Sequence, residues 1–129
     1  MAEKQAVQTD GAPQPFRGAP YSQGITGGGF VFVSGQVGMR PGETQVVADN
    51  VEEQTEQVFA NLRAILEAAG SGLDRVVKST VYLATLDDFQ TMNEVYRRHA
   101  GGIPPARATV GVALPAGVLV EIDAIALVS

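Results

Sequence analysis

The stretch NVEEQTEQVFANLRAILEAAG, residues 50–70, decides the fold class of this 129-residue chain. Asn50, with Glu53 three residues later, resembles the capping box that starts a helix, and Gly70 supplies the stop. Between them, apolar residues recur at the spacing of one helical face. These residues are Val51, Val58, Leu62, Ile65, Leu66 and Ala69. The pattern predicts an amphipathic helix whose apolar stripe must pack against another layer.

Segments typical of β-strands lie on both sides of this helix. RVVKSTVYL, residues 75–83, is rich in β-branched residues, and residues 21–25 and 30–33 have the composition of two short strands. The three glycines at 27–29 join those two strands. They are typical of a hairpin turn, because the G-x-x-x-x-G-K-[ST] pattern of a phosphate loop is absent and no helix follows directly.

A second helix and two further strands complete the pattern. Asp87 with Gln90 opens the helix, and residues 101–105 (GGIPP) end it. Its predicted buried stripe consists of Phe89, Met92 and Tyr96. Strands follow at 107–114 and 118–128. The order ββαβαββ predicts an α+β fold with a mainly antiparallel sheet and two helices on one face.

The last strand has two apolar faces. One face carries Val120, Ile122, Ala124, Ala126 and Val128. Glu121 and Asp123 lie on the other face, among further apolar side chains. Because helices cover only one face of the sheet, we expect the face with the two acids to meet another subunit.

The turn at 115–117 (PAG) suggests that the last two strands pair as a hairpin. Glu121 then falls near Gly111, and the same alternation places Arg107 and Thr109 on the face of the acids. The residues expected against the helices are Ala108, Val110 and Val112. Arg107 and Gly111 are separated by about 14 Å of strand, too far for a comfortable ion pair between Arg107 and Glu121. A small acid would fit between them.

The composition limits the number of domains and the kinds of partner that this chain can have. The length fits one domain, which we place at residues 19–129, and the polar, aperiodic residues 1–18 are predicted to be a flexible tail. A hydrophobic content of 45% is slightly high for a small monomer and favours an oligomer. A net charge of −5 with only nine basic residues argues against nucleic acid as the main partner.

The inventory of reactive side chains is small. With no cysteine, the chain has no disulfide framework, thiolate nucleophile or cysteine-based zinc site. The single histidine, His99, cannot build a multi-histidine metal centre, and we expect it in the last turn of the second helix. No apolar run is long enough to span a membrane, so we expect a soluble, cytoplasmic protein.

Arg107 and Glu121 each interrupt a segment that is otherwise apolar. An arginine fork binds carboxylates bidentately, and a half-buried glutamate can carry a proton near neutral pH. Each has an ordinary alternative, since Arg107 can lie along apolar neighbours and Glu121 can be a solvated residue of a strand face. Together they can also form a salt bridge across a subunit interface. Gly35, after Ser34, fits either an ordinary strand exit or a backbone N–H that holds a carboxylate.

Five segments carry a family resemblance. They are APYSQGI (19–25), VSGQVG (33–38), NLRAILEAAGSGLDRVVKSTVYLATLDDFQTMNEVY (61–96), PPARATV (104–110) and VEIDAIA (120–126). In this order and spacing they resemble the reactive intermediate deaminases, the RidA/YjgF superfamily. The resemblance covers nearly all of the chain from Pro20 to Val128.

The resemblance implies a chorismate-mutase-like fold and a homotrimer with three clefts between subunits. It implies no cofactor and a small carboxylate as substrate. The implied reaction is hydrolysis of enamine and imine intermediates such as 2-aminoacrylate, which pyridoxal-phosphate enzymes release, to 2-oxo acids and ammonia.

The resemblance also assigns roles to residues. Arg107 matches the family's carboxylate-binding arginine, and Glu121 matches the glutamate proposed to orient or activate water. The matching cleft positions are Tyr21, Ser34, Gly35 and Asn93. Thr109 stands where many members carry cysteine. Because the family role there falls largely to the backbone carbonyl, we expect retained activity and leave the substrate range open.

Two other classes of function remain open at this point. One is a non-catalytic trimer that binds small acids or acts as a chaperone, which the presence of both Arg107 and Glu121 disfavours. The other is a deaminase of the same superfamily that serves one pathway, for example on a 2-aminomuconate-like or biosynthetic enamine. The nuclease activity mentioned for the family is disfavoured by the acidic composition.

Overall fold

The computed structural model describes residues 3–128, which form two helices packed against one six-stranded sheet. The strands are β1 Gln5–Val7, β2 Gly24–Gly27, β3 Phe30–Val37, β4 Val76–Leu83, β5 Ala106–Gly111 and β6 Val120–Leu127. The helices are α1 Val51–Ala68 and α2 Phe89–His99. The sheet order is β1-β2-β3-β6-β4-β5, and every neighbouring pair is antiparallel except β4 and β5. The predicted α+β fold class is confirmed.

Helix α1 has the ends that the sequence predicts. The side-chain oxygen of Asn50 accepts the backbone N–H of Glu53 at 2.8 Å, and its amide donates to the Glu53 carboxylate at 2.6 Å. At the other end Gly70 adopts a φ of +79°, and the N–H of Ser71 donates to the carbonyl oxygen of Leu66. A capping box and a left-handed glycine therefore fix the length of the helix.

Helix α2 differs from its prediction at its start and in its buried stripe. It begins at Phe89, and Asp87 lies before it in a 3-10 turn, Leu86–Asp88, which the side chain of Thr85 caps. Met92 and Tyr96 are buried as expected, but Phe89 in the first turn is 37% exposed. The Phe89 ring lies beside the guanidinium of Arg107 instead of in the core. His99 is the last residue of the helix, where it was expected.

The hairpin predicted for the last two strands is wrong. Strand β4 lies between β5 and β6, and β5 runs parallel to β4. Helix α2 returns the chain to the starting end of β4, and a crossover of that kind makes the next strand parallel. The segment after β5 then crosses the end of β4, where Leu83 accepts the N–H of Val112 and Ala84 donates to Leu119.

The prediction of a flexible tail over residues 1–18 is wrong from Gln5 onward. Strand β1 pairs with β2, and Ala12 is buried. The Gln23 side chain holds this segment, since its amide donates to the carbonyl oxygens of Thr9, Ala12 and Pro13 and its oxygen accepts the N–H of Thr9. A three-residue strand held by its backbone and one glutamine has no apolar period to detect. Residues 1 and 2 lie outside the described residues.

The hydrophobic core lies between the helices and one face of the sheet. Val120, Ile122, Ala124 and Ala126 of β6 are buried there, as the alternation predicts. The opposite face has no helix over it and exposes Phe30, Phe32 and Leu127. Within residues 3–128, no helix is long and apolar enough to cross a membrane.

Candidate active site

The predicted site residues divide between the two faces of the sheet. Arg107 and Thr109 of β5 pair with Ser79 and Val81 of β4, which are buried beneath the helices. Paired residues of neighbouring strands share a face, so Arg107 and Thr109 face the helices. Glu121 lies on the opposite face of β6, as its own alternation predicts. The common face predicted for Arg107, Thr109 and Glu121 is therefore wrong.

The wrong strand pairing explains this error. A strand takes its alternation from the strand it pairs with, and β5 pairs with β4 rather than β6. Gly111 accordingly lies opposite Leu83 and not beside Glu121. Ala108 and Val110, expected against the helices, occupy the other face of β5 and are exposed. A single chain thus cannot place Arg107 and Glu121 in one cavity.

Arg107 borders a cavity of about 290 Å³ between α2 and the segment before β5, here called the Arg107 cavity. Its lining consists of Asn93, Tyr96, Arg97, Ala100, Gly101, Pro104, Pro105 and Arg107. The guanidinium carbon of Arg107 lies 4.7 Å from the ring centre of Tyr96 and 5.7 Å from that of Phe89. Within residues 3–128 no carboxylate pairs with Arg107. Aromatic rings hold the charge and leave the N–H donors free for a ligand.

The Tyr96 ring beneath Arg107 is fixed from two sides. Its hydroxyl lies 2.6 Å from the hydroxyl of Ser79, the β4 residue that pairs with Arg107, and the edge of the Phe59 ring packs against it at 5.4 Å. Burial raises the pKa of Tyr96, although Ser79 and Arg107 act in the opposite direction. The hydroxyl therefore stays protonated, and the platform for Arg107 is rigid and uncharged.

Two polar atoms on the same side of the sheet lack partners. The side-chain oxygens of Asn93 and Thr109 are buried without a hydrogen bond in the described part of the chain. An unpaired buried oxygen is costly, and a ligand N–H or a second chain would relieve it. Asn93 lines the Arg107 cavity, whereas Thr109 lies two residues further along β5. These two predicted residues therefore belong with Arg107.

Glu121 borders a second cavity, of about 450 Å³, on the other side of the sheet, here called the Glu121 cavity. Its lining consists of Phe16, Tyr21, Ser34, Gly35, Val37, Met39, Pro115, Val118 and Glu121. It brings together the predicted residues Tyr21, Ser34, Gly35 and Glu121. The remaining lining is mostly apolar.

Gly35 is required because Glu121 occupies the space of a side chain. A Cβ added at Gly35 would lie 2.9 Å from Cδ of Glu121 and would collide with its carboxylate oxygen. Ser34 and Gly35 lie in a β-bulge, where the register between β3 and β6 shifts. The hydroxyl of Ser34 donates to the carbonyl oxygen of Ser22 at 2.6 Å. The bulge and the glycine together admit the carboxylate into the strand surface.

The Glu121 carboxyl is held ready to carry a proton. Burial, and then the negative charge of Asp123, raise its pKa above the ordinary value. Asp123 is itself fixed by the N–H of Thr80 at 3.0 Å and the hydroxyl of Tyr82 at 3.2 Å. Glu121 makes no hydrogen bond or ion pair within residues 3–128. An unpaired carboxyl with a raised pKa can act in acid–base chemistry.

Two aromatic residues that border these cavities, Tyr96 and Phe16, are not among the predicted site residues. The helical periodicity predicts Tyr96 in the buried stripe of α2. No pattern in the sequence indicates that its ring supports Arg107. Phe16 belongs to the segment predicted to be a flexible tail. Its one signal in the sequence is a bulky aromatic side chain that follows two prolines and precedes the Pro20–Tyr21 pair. Among residues 3–128 there is no cluster of three or more side chains of the metal-binding types.

Comparisons with known proteins place this arrangement in context. Residues 11–128 match the family model described as Endoribonuclease L-PSP. A RutC family protein of Pyrococcus horikoshii is 47% identical over 124 residues, which cover 95% of this chain and 97% of that protein. The mouse 2-iminobutanoate/2-iminopropanoate deaminase is 43% identical over 125 residues, which cover 96% of this chain and 91% of that protein.

Solved structures show the same fold. RidA from an Antarctic Psychrobacter bacterium superposes with a TM-score of 0.89 at 43% identity, covering 96% of this chain and 99% of that one. TdcF of E. coli, solved with bound serine, superposes with a TM-score of 0.87 at 38% identity, covering 97% and 99%. The fold and most of the length are therefore shared with these proteins.

Proposed function

The chain belongs to the Endoribonuclease L-PSP family, which includes the RidA/YjgF deaminases, and we propose that it hydrolyses reactive 2-enamine and 2-imine acids. The substrates would be acids such as 2-aminoacrylate and 2-iminopropionate, and the products 2-oxo acids and ammonia. The observation that carries this proposal is an arginine fork with free donors in one cavity and an unpaired carboxyl of raised pKa in another. We also propose a cytoplasmic location.

The proposed assembly is a homotrimer with clefts between subunits. One sheet carries the Arg107 cavity on one face and the Glu121 cavity on the other, so a site that uses both residues needs two chains. The exposed Phe30, Phe32 and Leu127 supply an apolar face for that contact. Each cleft would then combine Arg107, Asn93 and Thr109 of one subunit with the Glu121 cavity of the next.

The proposed reaction needs few groups. Arg107 binds the substrate carboxylate with two parallel N–H donors. Glu121 transfers a proton to the enamine carbon, giving the imine, and then orients water for addition to the C=N carbon. The carbinolamine that results expels ammonia and leaves the 2-oxo acid. Because imines also hydrolyse without a catalyst, an anchor and one proton-carrying carboxyl suffice, and we propose no metal or cofactor.

The relatives support a small carboxylate as substrate. TdcF of E. coli was solved with bound serine, an acid of similar size to 2-aminoacrylate. The family description names a ribonuclease, but a net charge of −5 with nine basic residues does not favour RNA. We therefore propose neither a nucleic-acid nor a membrane partner.

Mixing two inactive variants tests both the chemistry and the assembly. Arg107→Ala and Glu121→Gln chains, each nearly inactive alone, are unfolded together, refolded at equal amounts and assayed for 2-oxo acid release. In a random trimer about a quarter of the clefts would pair an intact Arg107 with an intact Glu121, restoring about a quarter of the wild-type rate. The matched control mixes Arg107→Ala with the double variant and restores nothing.

The outcomes separate the alternatives. No recovery in the first mixture, with both single variants folded, would show that the two residues do not act across a subunit interface. Wild-type protein that binds small acids without accelerating hydrolysis would support the non-catalytic alternative. A narrow preference for one biosynthetic enamine would support the pathway-specific one.

A further inference from the structure

The Glu121 cavity has two chemically different kinds of lining. Ser34, Gly35 and Glu121 form the polar part, where the bulge of β3 admits the carboxylate. The rest is apolar and is here called the apolar wall, defined as Phe16, Val37, Met39, Pro115 and Val118. The hydrolysis proposed above uses only the polar part, because the reacting atoms are a carboxylate, a C=N bond and a water. The apolar wall has no part in that chemistry.

Phe16 is the exposed aromatic member of this wall. Its side chain is 54% exposed, so packing in the core does not explain its position. The backbone holds it instead: its N–H donates to the hydroxyl of Tyr21 at 2.8 Å, and its carbonyl oxygen accepts the N–H of Ala19 at 3.0 Å. The backbone of Phe16 is thus fixed beside the cavity by hydrogen bonds that do not depend on the ring.

Arg17 fixes the ring further. It adopts a φ of +52°, an uncommon value for a residue with a side chain, and its guanidinium lies 5.1 Å from the centre of the Phe16 ring. A strained residue held in place beside an exposed aromatic ring points to a selected position rather than a random loop conformation.

We propose that the apolar wall binds the side chain of the substrate, and that Phe16 makes the protein prefer imino acids with large apolar side chains, such as those from leucine, over those from alanine. This inference rests on the proposed hydrolysis. The imine from alanine has one methyl group, which leaves most of the wall without contact. The imine from leucine places a branched four-carbon chain against it, and apolar contact of that extent changes kcat/KM by roughly ten- to hundredfold.

The test compares two imines generated in situ from alanine and leucine by an L-amino-acid oxidase, with 2-oxo acid release timed. Wild-type protein should have a kcat/KM at least about tenfold higher for the leucine-derived imine. Phe16→Ala should lose most of that preference, with the larger fall in kcat/KM on the leucine-derived imine. Phe16→Leu, which keeps an apolar side chain, should retain most of the preference.

Leu86→Ala is the matched control. Leu86 is 57% exposed, a fraction similar to the 54% of Phe16, and it lines neither cavity. Its replacement should leave the ratio of the two rates unchanged. The ratio is the informative quantity, because a general loss of folding would lower both rates together. An unchanged ratio in Phe16→Ala, or a wild-type ratio near one, overturns the proposal.

A binding measurement separates this proposal from the proposed function. The products pyruvate and 4-methyl-2-oxopentanoate are titrated into wild-type and Phe16→Ala protein by calorimetry, without turnover. Tighter binding of 4-methyl-2-oxopentanoate that depends on Phe16, with no hydrolysis of either imine, supports side-chain binding by the apolar wall and overturns the proposed deaminase activity. Hydrolysis of both imines, with no dependence of rate or binding on Phe16, supports the deaminase activity and overturns side-chain binding by the apolar wall.

Discussion

The Arg107 cavity and the Glu121 cavity hold their charged residues by opposite means. Arg107 is supported by large neighbours, since the rings of Tyr96 and Phe89 lie beside its guanidinium. Glu121 depends on a small neighbour, because its carboxylate occupies the space that a side chain at residue 35 would need.

This difference shows how each charge is kept available. A carboxylate beside Arg107 would hold it as firmly as the rings do, but would occupy its donors. A cation beside Glu121 would stabilise its charge and lower its pKa, whereas burial and Asp123 raise it. Each cavity therefore fixes its residue without neutralising it. Variants that alter one means of support at a time can test this comparison.

Arg107→Lys should give the largest effect of a conservative change. Lysine keeps the positive charge but loses the planar fork that binds both carboxylate oxygens. Loss of one charge-assisted hydrogen bond costs about 1.5–3 kcal/mol, or roughly ten- to hundredfold in kcat/KM, and Arg107→Ala should lose more. Steady-state kinetics on the alanine-derived imine measure the effect.

The control for this prediction is Arg40→Lys, a change on an exposed arginine outside both cavities. It should leave kcat/KM unchanged. A wild-type rate in Arg107→Lys would remove the carboxylate clamp from the mechanism and return Arg107 to the role of an interface ion-pair partner.

Gly35→Ala should give the next largest effect. The new Cβ would collide with the Glu121 carboxylate and displace it from the strand surface. Displacement of a catalytic group by about an ångström lowers kcat by at least about tenfold, while substrate binding through Arg107 is retained. Gly27→Ala is the matched control, since a Cβ there meets nothing within 4 Å. Equal kcat values for both variants would show that Gly35 does not position Glu121.

Tyr96→Leu should give a smaller effect, directed at binding. It removes the ring beneath Arg107, and a partly desolvated cation–π contact corresponds to about a three- to tenfold increase in KM. Tyr96→Phe keeps the ring and loses only the hydrogen bond to Ser79, so it should restore most of the loss. If Phe and Leu raise KM equally, the hydroxyl rather than the ring supports Arg107.

Asp123→Asn should change the pH dependence more than the maximal rate. The Asp123 charge contributes to the raised pKa of Glu121, so its removal moves that pKa down, although burial still keeps it raised. The limb of the pH–rate profile that belongs to Glu121 should therefore move to lower pH, whether Glu121 acts as acid or as base. Glu121→Gln identifies that limb by abolishing it. A limb that stays in place or moves to higher pH contradicts this assignment.

The helices could be predicted because their signals are local. The Asn50–Glu53 cap, the Gly70 stop and the apolar stripe of α1 all lie within 21 consecutive residues, and the structure shows each of them. The alternation along β6 was equally local, and it placed Glu121 on the correct face.

The pairing of strands could not be predicted in this way. Residues 115–117 have the composition of a hairpin turn, yet β4 lies between the strands that they join. The informative signal was the helix between β4 and β5, which requires a crossover and thus a parallel pair. That single error moved Arg107 and Thr109 to the wrong face. The family resemblance supplied the site residues, but not their division between two cavities.

The hydrogen bonds between Gln23 and the N-terminal segment have a consequence for anyone who engineers this protein. Although the sequence of this segment looks dispensable, it is a poor place for an introduced protease site or an N-terminal truncation. Cleavage after Ala12 would remove β1 and leave the backbone of β2 as an open edge, which invites strand-to-strand aggregation.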